Sequence, residues 1–196
     1  MMRKIRWGQV LVFLALLSVA VLLGVGTTTL MLGRLPLGDF RGVALVGSAL
    51  LCLYLYAVLI YRLFLAVCPL RAGEIADGSQ QEFVYHVYVL FYLILFYPIM
   101  RSGVVPAPLM RWFYIALGTK LGSNTYSQGI IHDPPFIEIG ENSVVGQYAL
   151  LIPHVIEGRR LAHYPIRIGD NVTIGAMRSS CRMSPLATTP LLQRGR

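Results

Sequence analysis

The stretch IPHVIEGRRLAHYP, Ile152 to Pro165, brings together side chains that can move a proton or hold an anion, including two of the four histidines of the chain. His154 and His163 flank Glu157, Arg159 and Arg160. An imidazole titrates near neutrality, so a histidine here is a candidate general base. Arg159 and Arg160 are candidates for a phosphate, because a guanidinium offers paired donors to an oxyanion. The plainer reading of both is a solvated surface loop or a lipid headgroup contact.

These residues matter because of the pattern they interrupt. From Leu117 the sequence advances in steps of six, each opening on an aliphatic residue and, in most, a glycine. Leu117-Gly118 and Leu121-Gly122 come first, imperfectly spaced, followed by Ile139-Gly140, Val145-Gly146 and Leu151. Past the interruption the beat returns with Ile168-Gly169 and Ile174-Gly175. A helix needs a period near 3.6 and a plain strand a period of two, so neither fits. A six-residue period fits a triangular coil, in which each step supplies one short strand and one turn. The aliphatic residue then points inward, and the glycine occupies a corner too tight for a side chain. Asn142 and Asn171 fall at turns that call for left-handed backbone. An excursion from so rigid a coil is a natural place for function.

The runs ALGTKLG, DPPFIEIGENSVVGQYALLIPHVIEGRRL and PIRIGDNVTIGA resemble the left-handed β-helix acyltransferases. They are most similar to a membrane-anchored branch also found as terminal domains of some nonribosomal peptide synthetases. The resemblance covers Leu117 to Ala176 and an apolar N-terminal region of the matching kind. It implies a left-handed parallel β-helix over 117–176 and transfer of an acyl group, such as acetyl, from a coenzyme A or carrier thioester to a hydroxyl or amine. That family carries a histidine followed by x-x-Glu, which maps onto His154 as general base and Glu157. Glu157, or a backbone carbonyl, would fix the imidazole tautomer, and corner amides would hold the oxyanion. Asn171, Gly175 and Ala176 are the positions implied for coenzyme A, in a groove between prisms of a homotrimer, with Arg159 and Arg160 toward its phosphates. Acyl-CoA is then a co-substrate, and no metal is expected. Two other classes stand beside this one. A non-catalytic, membrane-anchored assembly module would use the coil as a scaffold. A carbonic anhydrase-like prism would bind zinc through His132, His154 and His163, although their spacing does not match that class.

The remaining chain explains the composition: 56% hydrophobic, 13% charged, net charge +8. Trp7 to Leu32 contains no formal charge and is long enough to span a bilayer, which takes about 20 apolar residues. A secretory signal core is shorter, and a second apolar run, Val43 to Tyr61, follows, so an anchor of two spans over 1–67 is expected. Arg3, Lys4 and Arg6 before the first span, with Arg62 and Arg71 after the second, predict both ends and the β-helix on the cytoplasmic side of a cell inner membrane. Over 68–116 the sequence predicts a polar loop and then an aromatic-rich apolar stretch, Phe83 to Met100. That stretch reads as an interfacial or re-entrant helix, with a third span as the alternative. The basic flanks fit lipid headgroups rather than nucleic acid. An anchor also implies an acceptor at the membrane, either a small molecule or a glycolipid. Cys52 and Cys68 show no metal spacing.

After Ala176 the rhythm ends in mid-step, and 177–196 carries no period. Read two bases later, the possible codons allow AFVVPDVTIGDNAIVAA. The second and third bases of each new codon are the first two of the next residue's codon and so are largely fixed. The shifted reading resumes the beat and repeats VTIGDN. The expectation is a tail read out of frame, with the final coils missing.

Overall fold

The computed structural model describes residues 3–36, 38–158, 160–177 and 179–181. Three long apolar helical segments precede a strand-rich region. The chain divides into two units: Ile5–Pro69 with Phe83–Phe91, and Leu70–Glu82 with the chain from Tyr92 onward, joined by the first residues of the chain.

In the first unit α1 (Trp7–Leu32) and α2 (Arg41–Val67) pack side by side. Helix α1 has the limits of the charge-free run. Both helices expose leucines and valines around most of their circumference, as expected of helices solvated by hydrocarbon. Small residues bring them together: a Cβ on Gly24 would stand 3.0 Å from the backbone of Leu53. Thr27 and Tyr56 share a hydrogen bond of 2.8 Å between hydroxyls. A third helix begins with α3 (Gln80–Phe91), whose Phe91 meets Phe13 edge-on at 5.0 Å. It continues through a π-helical turn, Tyr92–Phe96, into α4 (Tyr97–Ser102). By length and composition, Trp7–Leu32, Gly38–Val67 and Gln80–Ser102 are each able to cross a membrane.

The second unit opens with β1 (Gly73–Glu74) and later adds α5 (Ala107–Leu117), a helix with no counterpart in the sequence reading. Its Met110, Tyr114 and Leu117 are buried. Leu117 and Gly118 are therefore not the first coil step. They close α5, with Gly118 at φ 111 as its left-handed cap. The repeat starts instead at β2 (Lys120–Leu121), followed by β3 (Tyr126–Ser127) and β4 (Ile130–Ile131). A second round comprises β5 (Ile137–Ile139), β6 (Val144–Val145) and β7 (Leu150–Ile152). The excursion forms β8 (His154–Glu157) and β9 (Arg160–His163), and the third round is β10 (Ile166–Ile168), β11 (Thr173–Ile174) and β12 (Ser179–Cys181).

Successive strands of a round enter different sheets, and each round adds one parallel strand to every sheet: β2-β5-β10, β3-β6-β11 and β4-β7-β12. Leu121 pairs with Ile139 and Ile139 with Ile168, so the aliphatic positions of the repeat stack in columns. Ile139, Val145 and Leu151 are buried at the centre of these columns. The turns stack too. Asn124, Asn142 and Asn171 adopt φ 53, 52 and 56, as expected for Asn142 and Asn171, and Asn124 donates a 3.1 Å amide hydrogen bond to Asn142. Hydroxyls tie one round to the next: Ser143 Oγ accepts from the amide of Val172 at 3.0 Å.

At the lower end α5 covers the first round. Arg111 donates to the carbonyls of Gly122 and Thr125 at 2.8 and 2.7 Å, and Tyr114 donates to that of Gly129 at 2.5 Å. These bonds satisfy carbonyls that have no round beneath them.

Candidate functional site

The excursion is an antiparallel hairpin, not a free loop: β8 pairs with β9, and β1 adds a third strand outside β9. His154 opens β8 directly after Pro153, where the chain leaves the sheet containing β7. In the round below, His132 and Asp133 leave β4 at the corresponding place, because Ile131 is registered on Leu151. Stacking of the rounds therefore brings Asp133 to His154, with Oδ2 2.5 Å from Nδ1.

Asp133 is the residue that sequence reasoning missed. Its side chain is only 4% exposed, against 23% for His154. It precedes Pro134, at which the chain makes a short 3-10 turn, and its backbone is left-handed at φ 46. A carboxylate on Nδ1 makes that nitrogen the proton-bearing one and leaves Nε2 as the basic nitrogen. Glu157, expected in this role, is at the far end of β8, exposed, with Arg160 Nη1 at 3.8 Å. A strand alternates its side chains and rises about 3.3 Å per residue, so a glutamate three positions on is carried away from the histidine. Helical spacing would have kept the pair together. The readable signal for Asp133 was the run Ile130-Ile131-His132-Asp133 beneath Leu150-Leu151-Ile152-Pro153-His154.

Burial pushes the His154 pKa down, but the hydrogen bond and charge of Asp133 outweigh it and hold the imidazole above its ordinary value. His132 stands edge-on to His154 with ring centroids 5.7 Å apart, and Tyr92 and Tyr97 flank it at 5.4 and 5.8 Å. Burial lowers its pKa, as does the neighbouring His154, against the pull of Asp133. His163, cross-strand from His154, is fully buried and stacked on Phe136 at 4.5 Å, and burial pushes its pKa below the ordinary value. Among the described residues, no group of three or more His, Cys, Asp and Glu side chains is placed to hold a metal ion.

Of the residues assigned to an anion, Arg160 is engaged elsewhere. Its guanidinium donates to Glu74 at 2.7 Å and to the Tyr164 hydroxyl at 2.8 Å, fastening β9 to β1. Arg159 lies outside the described residues. Asn171, Gly175 and Ala176 all lie exposed on turns of the third round. A separate groove of about 720 Å³ runs along β2, β5 and β10, with Lys120, Glu138, Arg167 and Asp170 on its walls. Neither His154 nor Asp133 lines it.

Comparison with known protein families, curated proteins and solved structures returns no match for this chain.

Proposed function

We propose that the chain is a membrane-anchored acyltransferase whose coil is a left-handed β-helix and whose general base is His154. The observation that carries this reading is the Asp133–His154 contact of 2.5 Å, a carboxylate-oriented imidazole where the chain leaves the second round. Nε2 takes the proton of an acceptor hydroxyl or amine as it attacks the thioester carbonyl. The oxygen of that carbonyl gains negative charge; as the carbonyl re-forms the carbon–sulfur bond breaks, and the leaving sulfur takes the proton back from Nε2 and departs as the thiol. Asp133 is a positioning residue that stabilises the imidazolium formed on the way.

The donor in this reading is acyl-CoA or a carrier thioester, and Asn171, Gly175 and Ala176 remain its candidate contacts. The acceptor is lipidic or made at the membrane, consistent with three helices able to cross a bilayer. A homotrimer and a cytoplasmic coil belong to the same reading. The test is release of free coenzyme A from acetyl-CoA by the full-length protein in bilayer discs supplied with envelope lipid extract. His154→Ala is expected to cut the rate at least about 100-fold, as loss of a general base does. Unchanged turnover in that variant removes His154 from the mechanism.

A further inference from the structure

The two ends of the stack are finished differently. Helix α5 covers β2 and β3 at the lower end, whereas no described residue pairs with the outer edges of β10, β11 and β12. Unpaired strand edges of this kind invite another strand. The corner glycines give a more specific indication. A Cβ on Gly122 would stand 2.5 Å from the carbonyl carbon of Gly140, and one on Gly140 would stand 2.8 Å from that of Gly169. Each glycine is thus required by the round above it. Around the corresponding point on Gly169 no described residue lies within 4 Å, and its φ is not left-handed. Neither its backbone nor its described neighbours require a glycine there.

We propose that this open end is the seat of a fourth coil, and that the coding frame after Ala176, with one base restored, supplies it. Two registers support the assignment. Ile131 pairs with Leu151, and Leu151 with Ser180, so position 180 is in backbone register with two buried aliphatic residues. With one base restored between Ala176 and Arg178, the shifted reading AFVVPDVTIGDNAIVAA begins at position 178 and puts valine at 180. The same alignment puts its Ile-Gly pair three six-residue steps beyond Ile168-Gly169. That is the interval separating Leu121-Gly122 from Ile139-Gly140, which lie directly over one another. The new glycine corner therefore falls on Gly169, over which no described residue lies.

The experiment compares the given chain with one in which residues 178–194 are replaced by AFVVPDVTIGDNAIVAA, both full length in detergent. The extended chain is expected to melt at least about 4 °C higher, the upper end of the range that a small gain in stability gives in a chain of this size. Gly169→Ala is expected to be silent in the given chain and to lower the midpoint of the extended one, while Gly140→Ala lowers both. An extended chain that melts no higher, or a Gly169→Ala effect equal in the two chains, overturns the proposal. So does sedimentation showing end-to-end pairs of the given chain that Gly169→Ala abolishes, because the seat then serves a second copy.

Discussion

The helical unit and the coiled unit store their structure in different ways. On the outward face of α1, identity matters little at any one position, since an exposed leucine is interchangeable with its neighbours and only the sum over the segment decides insertion. In the coil nearly every position has an assigned direction. Ile137 and Ile139 face in and Glu138 faces out, and Asn142 turns a corner. The first region tolerates substitution and is legible from composition. The second is sensitive to single atoms and is legible only from period.

The sharpest test of that contrast is Leu151→Ala. Leu151 is 0% exposed at the middle of a column, and the truncation should cost about 2–5 kcal/mol in denaturation of the purified protein. A cost under about 1 kcal/mol would mean that the columns are not tightly packed.

Asp133→Asn addresses the site rather than the packing. Removing the charge leaves burial as the dominant influence on His154, so its pKa falls. As the base works in its neutral form, the acidic limb of the rate profile should move to lower pH, and turnover should drop about 10- to 100-fold. The stability linkage has the opposite sense to that of a depressed carboxylate. Because the folded pKa of His154 is raised, the Asp133 interaction stabilises fully below about pH 6.5 and is lost as pH rises through the folded value. Denaturation midpoints of the unsubstituted chain should show that fall, and those of Asp133→Asn should not.

Gly140→Ala should destabilise by about 1–3 kcal/mol, because its Cβ would overlap the next round. The smallest effect is expected from Leu22→Ala in α1, whose side chain is 72% exposed: within about 0.5 kcal/mol, with membrane insertion unchanged. A large loss there would show that α1 has a second position-coded face besides the one packed on α2, turned toward another protein surface.

The same contrast explains what could be read in advance. The limits of α1 at Trp7 and Leu32 followed from charge alone, and the parallel columns from the six-residue beat. Helix α5 went unseen because Leu117-Gly118 matches a coil step and a helix end equally well. His154 was legible as a histidine at a break in the period. Asp133 was not, because the irregular corner holding the 3-10 turn at Pro134–Phe136 puts Ile131 out of step with the beat in that one sheet and hides which residues lie over one another. Glu157 was favoured on linear proximity, which a strand defeats. The tail beyond Cys181 lies outside the described residues, yet Ser179–Cys181 joins β7 in register, so the coil runs slightly past the point where its sequence pattern fails.

The pairing of β1 with β9 has a consequence for the order in which the molecule is made. Gly73 pairs with His163 and Glu74 with Ala162, so the outer strand of this sheet is synthesised long before its partner. It must wait, unpaired, while the third apolar helix, α5 and two complete rounds leave the ribosome. Hairpin β8–β9 needs only neighbouring residues and can close at once, whereas β1 docks across a very long loop and bears the entropy of closing it. The linker at Gly73–Glu74 is therefore expected to be among the last segments protected from exchange in a nascent chain. Its arrival fastens Arg160, and with it the strand opposite His154.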